Sequence, residues 1–250
     1  PMRLTPDATS LQNWATNVSL AVEDNDNGLV STDEYLGVFY PSGFTSDNFG
    51  NNVVVPASHM MLRTIALSDQ VSFPWFAPAG TRRGGITNAT STGYINSEGE
   101  FVSTALNEGQ RDTLYTNNVN PITFITGAGL VNYGQKTRFA GSSALDRINV
   151  ARLVIYLRSQ LNKLARPYVF EPNDKITRDE IKAQAESLLL ELVGNRAIFD
   201  FLVVCDESNN TPTRIDRNEL YLDIAIEPVK AVEFIYVPLR LKNTGEIAGL

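Results

Sequence analysis

The segment 145–166 constrains the fold of this chain more than any other. At the 100° per residue of an α-helix, Val150, Leu153, Val154, Leu157, Leu161 and Leu164 fall within one arc of about 100°. That spacing predicts a long amphipathic helix whose stripe must be buried against a partner. Pro167 ends it, because proline has no amide proton to continue the ladder. The partner follows directly. Thr177 with Glu180 three positions later reads as a capping box opening a second helix. Ile181, Ala185, Leu188, Leu189 and Leu192 form its buried stripe, and Gly194 sits where a left-handed closing residue belongs. Strands are expected next at 199–205, 219–227 and 231–237, with Pro238 placing the last at a sheet edge.

Upstream, the helical periodicity is weaker and the breakers are more frequent. Residues 11–22 fit one helix and 24–28 a turn. Tyr35-Leu36-Gly37-Val38-Phe39-Tyr40 has strand composition and is stopped by Pro41-Ser42-Gly43. Val53-Val54-Val55 and then a helix over 57–68, with Met60, Met61, Ile65 and Leu67 apolar, give the strand–loop–helix order of an α/β unit. Phe73-Pro74-Trp75-Phe76-Ala77-Pro78-Ala79-Gly80 is too rigid and apolar for a flexible linker. Residues 86–106, rich in Gly, Thr, Ser and Asn, predict short strands and loops. Residues 122–126 and 129–134 predict a hairpin turning through Gly127 and Gly129. The expected class is α+β: mixed β-sheets with flanking helices in 1–140, then long amphipathic helices and a C-terminal sheet in 141–250.

Composition narrows the function. With 250 residues, the chain has room for one large domain or two modest ones of about 100–200 residues each. Its 43% hydrophobic against 20% charged residues rule out global disorder. One cysteine excludes an internal disulfide and a cysteine-based metal site, and one histidine excludes most histidine-rich centres. No stretch reaches the roughly 18 apolar residues of a membrane-spanning helix. The opening Pro1-Met2-Arg3-Leu4-Thr5-Pro6 lacks the apolar core of a signal peptide, and a chain beginning this way is expected to be a fragment or processed product.

Individual candidates for chemistry are weak. His59, beside Ser58 at a helix start, has no G-x-S-x-G turn to supply a nucleophile. Cys205 ends an apolar strand beside Asp206 and Glu207, where a small buried thiol is expected and a reactive thiolate disfavoured. Residues 23–34 match a calcium loop at Glu23, Asn25, Asn27, Gly28 and Glu34, but Glu replaces the usual first Asp and strand-like residues follow. A solvated turn is the expectation there. Gly80-Thr81-Arg82-Arg83-Gly84-Gly85 lacks the spacing and lysine of a phosphate loop and reads as a turn with two solvated arginines. Trp14 and Trp75 could serve a carbohydrate-binding adhesin, although their surroundings read as packing. No catalytic residue, metal or cofactor is expected.

Charge is more informative. The net −7 argues against general affinity for nucleic acid or anionic membrane. It is unevenly divided, since residues 145–166 carry +4 and leave −11 elsewhere. Arg147, Arg152, Arg158, Lys163 and Arg166 project opposite the leucine stripe, with Ile148 and Ile155 among them. This is either a solvated face with two incidental isoleucines or a docking face for an acidic partner.

Four segments appear in a familiar order: Pro74-Trp75-Phe76-Ala77-Pro78-Ala79-Gly80, Phe170-Glu171-Pro172-Asn173-Asp174, Val203-Val204-Cys205-Asp206-Glu207-Ser208-Asn209-Asn210 and Pro228-Val229-Lys230-Ala231-Val232-Glu233-Phe234-Ile235. With them the chain resembles the tail sheath proteins of contractile bacteriophages, from about Tyr35 onward. The resemblance implies a structural protein of the virion, assembled in the host cytoplasm. It would be a homo-oligomer of stacked hexameric rings around a tail tube, joined to a baseplate, and contracting to drive the tube through the host envelope. The same resemblance makes 141–250 the C-terminal sheath domain and 1–30 the edge of an outer variable domain. It makes 236–250 a strand-exchange arm carrying Tyr236, Val237, Leu239 and Leu241. Arg147, Arg152, Arg158 and Lys163, with Ile148 and Ile155, become candidate contacts to the tube or an adjacent subunit. Neither nucleic acid nor membrane insertion is implied. The sheath of a bacteriocin or type VI-like injection machine remains an alternative, with a virion-associated hydrolase or adhesin behind it.

Overall fold

The computed structural model describes residues 33–96, 98–139, 141 and 143–237. The helix and turn expected at 11–22 and 24–28, most of the calcium-like loop, and Leu239 and Leu241 lie outside them. The first strand is only Phe39–Tyr40 (β1), and the chain continues past Pro41 as Ser42–Ser46 (β2). The expectation that Pro41-Ser42-Gly43 ends the extended run is therefore corrected. Pro41 has no N–H to offer a ladder, but Ser42 and Gly43 pair with Gly93 and Thr92 of a second sheet. Gly43 suits that close approach, since a Cβ would crowd the buried Met60 sulfur and the Ala89 Cβ.

Asn52–Val55 (β3), Ser91–Ile95 (β4) and Phe101–Ser103 (β5) complete an antiparallel sheet in the order β3-β2-β4-β5. Ala57–Val71 (α1) buries Ala57, Met60 and Met61, and Gly80–Arg83 (α2) is a single turn. Glu108–Thr116 (α3) was not expected from its polar sequence. Its signal is a capping box, in which Asn107 accepts from the Gln110 amide and Gln110 accepts from the Asn107 amide. Asn120–Ile125 (β6) and Gly129–Asn132 (β7) form the expected hairpin, turning through positive φ at Gly127 and Gly129. Together with β1 they make a sheet ordered β1-β6-β7.

The two long helices are Ile148–Ala165 (α4) and Lys175–Gly194 (α5). The N-cap of α5 is Asp174, whose side chain accepts from the Thr177 amide, so Thr177 lies inside the first turn instead of capping it. The left-handed residue beyond its end is Arg196 at φ 62°, not Gly194. Ile198–Val204 (β8), the short helix Pro212–Asp216 (α6) and Asp223–Pro228 (β9) follow. β8 and β9 form an antiparallel ribbon of two strands. The third expected strand, 231–237, is not formed: the run has no assigned secondary structure and no strand partner among the described residues.

Packing knits the two halves together. The core of the second half gathers Leu153 and Leu157 of α4, Ala185, Leu189 and Leu192 of α5, and Ile198 and Val203 of β8. Trp75 enters it from the aromatic loop after α1. Conversely, Ile148 of α4 packs into the first-half core with Phe39, Met60, Met61, Ile122 and Leu130. No helix among the described residues is long and apolar enough to cross a membrane.

Candidate subunit interface

The ribbon β8–β9 buries one face and leaves the other bare. Phe201 and Val203 lie opposite Ile226 and Ile224 and pack toward the core, because alternate residues of a strand point to opposite sides. On the other face Leu202 is 62% exposed, among exposed Asp200, Asp223 and Glu227. Among the described residues each strand has a partner on one side only, so within them each presents an edge of unpaired N–H and C=O groups.

One end of the ribbon is firmly closed. The Asn209 side-chain Nδ2 donates to Val204 O at 2.8 Å, Tyr221 O at 3.1 Å and Asp223 Oδ2 at 2.8 Å. Asn210 Oδ1 accepts from the Tyr221 amide at 2.7 Å, and the Arg214 guanidinium lies 3.8 Å from the Tyr221 ring centroid. These bonds tie the β8–α6–β9 connection to both strands and fix their register.

At the other end the chain departs. The Val229 amide donates to Ala197 O at 3.0 Å, and no described backbone bond follows it. Val232, Phe234, Ile235, Tyr236 and Val237 are all exposed, Tyr236 at 88%. One residue of this run is held. Glu233 accepts Arg147 Nε at 2.6 Å and Nη2 at 3.0 Å, a bidentate pair, and Gln135 Nε2 at 3.1 Å. Burial alone would raise the Glu233 carboxyl, yet the bonds from Arg147 and Gln135 and the Arg147 charge outweigh it and lower its pKa below the usual value. Burial likewise opposes the Arg147 charge, and Glu233 more than offsets it. The Tyr115 hydroxyl is pushed up by burial and then by the Glu233 charge.

The basic face of α4 is thereby divided. Arg147 is committed to Glu233 and Asp146, and Arg152 Nη2 donates to Asp69 of α1 at 2.7 Å. Ile148 is 8% exposed and belongs to a core cluster, so it has no free surface for a partner. Arg158, Lys163 and Arg166 are exposed and make no ion pair among the described residues, and Ile155 stands beside them at 53% exposure. Tyr236 and Val237 lie on the exposed run. A helical wheel separates sides correctly but does not show what crosses from another element, which is why Asp69 and Glu233 were missed.

The remaining candidates offer no chemistry. His59 is exposed on α1, and burial pushes the Cys205 thiol up. Arg82 is exposed, while Arg83 lies over the Phe76 ring at 4.8 Å and is half-buried instead of solvated. Trp75 is buried packing. No group of His, Cys, Asp and Glu among the described residues is gathered to hold a metal.

Among the described residues, a ribbon with unpaired outer edges is followed by an exposed apolar run without a strand partner, a pattern suited to pairing with another chain. Residues 141–242 match the phage tail sheath C-terminal domain. Over 249 residues the chain is 35% identical to the tail sheath protein of Vibrio phage KVP40 and 32% to that of Enterobacteria phage T4. Each alignment covers 96% of this chain and 35% of the relative, so the chain spans about a third of those proteins. Over nearly its whole length the chain is therefore similar to phage tail sheath proteins, and residues 141–242 match their C-terminal domain. The fold agrees: it is similar to a chain of the anti-feeding prophage baseplate at TM-score 0.73 and 17% identity, covering 95% of this chain and 67% of that one. The contracted anti-feeding prophage sheath gives TM-score 0.71 at 19% identity, with coverages of 95% and 68%.

Proposed function

We propose that this chain is part of a contractile phage tail sheath subunit, which polymerises as stacked hexameric rings around a tail tube and contracts to drive it through the host envelope. The observation that carries this reading is the apolar run 231–237, which has no strand partner among the described residues and follows a ribbon whose outer edges are unpaired among them. Such a segment is completed by pairing with another copy, since added strands satisfy edge groups through main-chain bonds. Tyr236 and Val237 would begin the donated arm, and Leu239 and Leu241 would continue it.

The docking face for the tube or an adjacent subunit is the distal part of α4, with Arg158, Lys163 and Ile155. Arg147 and Arg152 act within the chain. Each exposed contact contributes about 0–1 kcal/mol, and repetition over many subunits makes the sum large. The chain acts mechanically and not as an enzyme. It assembles in the host cytoplasm, meets a baseplate at the end of the sheath and needs no cofactor.

Electron microscopy of the full-length protein tests this reading. Ordered tubes are expected, and persistent monomers at high concentration would overturn it. Arg158→Glu with Lys163→Glu tests the docking face separately: tube-bound sheath should be lost, and unchanged assembly around the tube rules that role out.

A further inference from the structure

After Pro228 ends β9, the residues Ala231-Val232-Glu233-Phe234-Ile235-Tyr236-Val237 have a composition that favours strand. The outer edge of β9, unpaired among the described residues, is immediately behind them. A hairpin loop of roughly 2–5 residues is enough to return a chain antiparallel to the strand it has left. Val229 and Lys230 could therefore turn 231–237 back onto β9, giving the ribbon a third strand from its own chain. The structure does not take this course.

Instead, Glu233 is held by Arg147 and Gln135, outside the ribbon. Arg147 stands at the start of α4, and Gln135 on the segment after β7. Gln135 is only 3% exposed, and the Glu233 side chain 16%. The apolar residues on both sides of this carboxylate are exposed, so a single polar side chain fixes the path of the run. A charge inside an apolar segment is held only where its partners are, because leaving it or Arg147 unpaired in a part-buried site is costly.

We infer that the Glu233–Arg147 clasp keeps the arm from closing on its own ribbon, so that the β9 edge stays open for the arm of a second copy. This rests on the proposed function, and adds the device that makes donation intermolecular. A segment able to satisfy an edge in its own chain competes with the same segment from a neighbour, and the local one has the concentration advantage. Removing the local option turns a self-satisfied monomer into a polymerising subunit, the logic by which exchanged elements join protomers.

Glu233→Ala in the full-length protein, compared with the swap Arg147→Glu with Glu233→Arg, provides the test. In unassembled Glu233→Ala, amide hydrogen exchange at 223–228 and 231–237 should slow at least tenfold as the arm pairs with its own β9. Polymer yield by sedimentation should fall by a similar factor, and the swap should restore both. Wild-type exchange and yield in Glu233→Ala would overturn the clasp. If Glu233→Ala loses its far-ultraviolet circular dichroism, the swap decides: restored fold with restored polymer supports the clasp, and restored fold without polymer overturns it. Phe234→Asp with Tyr236→Asp separates the underlying reading, since wild-type polymer from that variant would mean the arm is not donated at all.

Discussion

The indole Nε1 of Trp75 donates to the backbone carbonyl of Asn195 at 3.1 Å, joining residues 120 positions apart. The aromatic loop thus reaches from the end of α1 to the C-terminus of α5, where carbonyls have no partner within their own helix. Phe73 stacks on the same ring at 4.7 Å between centroids and Tyr156 of α4 meets it edge-on at 5.3 Å. Trp75→Ala should cost about 3–5 kcal/mol, because it opens a cavity in the core of the second half. Trp75→Phe keeps the stack and loses the bond, for about 1 kcal/mol. Urea unfolding of the two variants reads the difference, and equal losses would mean that the indole bond contributes nothing.

Arg152 and Arg158 look interchangeable on a helical wheel and differ in the fold. Arg152 binds Asp69 with its side chain 18% exposed, whereas Arg158 is exposed and unpaired among the described residues. Arg152→Ala should destabilise the chain by about 1 kcal/mol, the upper range for a part-exposed pair. Arg158→Ala should stay within about 0.5 kcal/mol of wild type. Thermal unfolding checks both, and a larger loss at Arg158 would show that the distal face of α4 has a partner inside the chain.

Phe170 turns between the two long helices at φ 79° with its ring fully exposed. A bulky side chain in the left-handed region strains the backbone by about 1–3 kcal/mol, and here no packing offsets it. Phe170→Gly removes the strain, although glycine loses more entropy on folding. The expected net gain is about 1 kcal/mol, seen as a raised unfolding midpoint. A lowered midpoint would show that the ring packs in solution.

What could be read from the sequence follows from how local each signal is. The stripes of α4 and α5 and the hairpin at Gly127 and Gly129 depend on neighbours a few residues apart, so spacing alone finds them. The Asn107–Gln110 capping box was equally local, but the polar sequence of α3 offered no apolar stripe to direct attention to it. Helix ends were misplaced because Thr177 and Asp174 both suit a cap, and backbone geometry chose Asp174. The basic face could be located but not divided, since the partners Asp69 and Glu233 lie 83 and 86 residues away from Arg152 and Arg147. Residues 231–237 read as a strand from their composition, yet a strand exists only when another edge pairs with it. Their own chain supplies none among the described residues.

The clasp makes a final prediction in pH. The Glu233 carboxyl is raised by burial and lowered further by Arg147 and Gln135, for a net downward shift. A carboxyl whose folded pKa lies below its unfolded value of about 4.3 contributes stability above that value. It loses the contribution as pH falls through the folded pKa, because the proton then displaces the ion pair. Glu233→Gln has no such proton to gain. At pH 7 it should therefore be less stable than wild type in urea, and the gap should narrow steadily below about pH 4. A gap that is the same at pH 7 and pH 3 would mean that Glu233 holds the arm by shape and neutral hydrogen bonds, with its charge adding nothing.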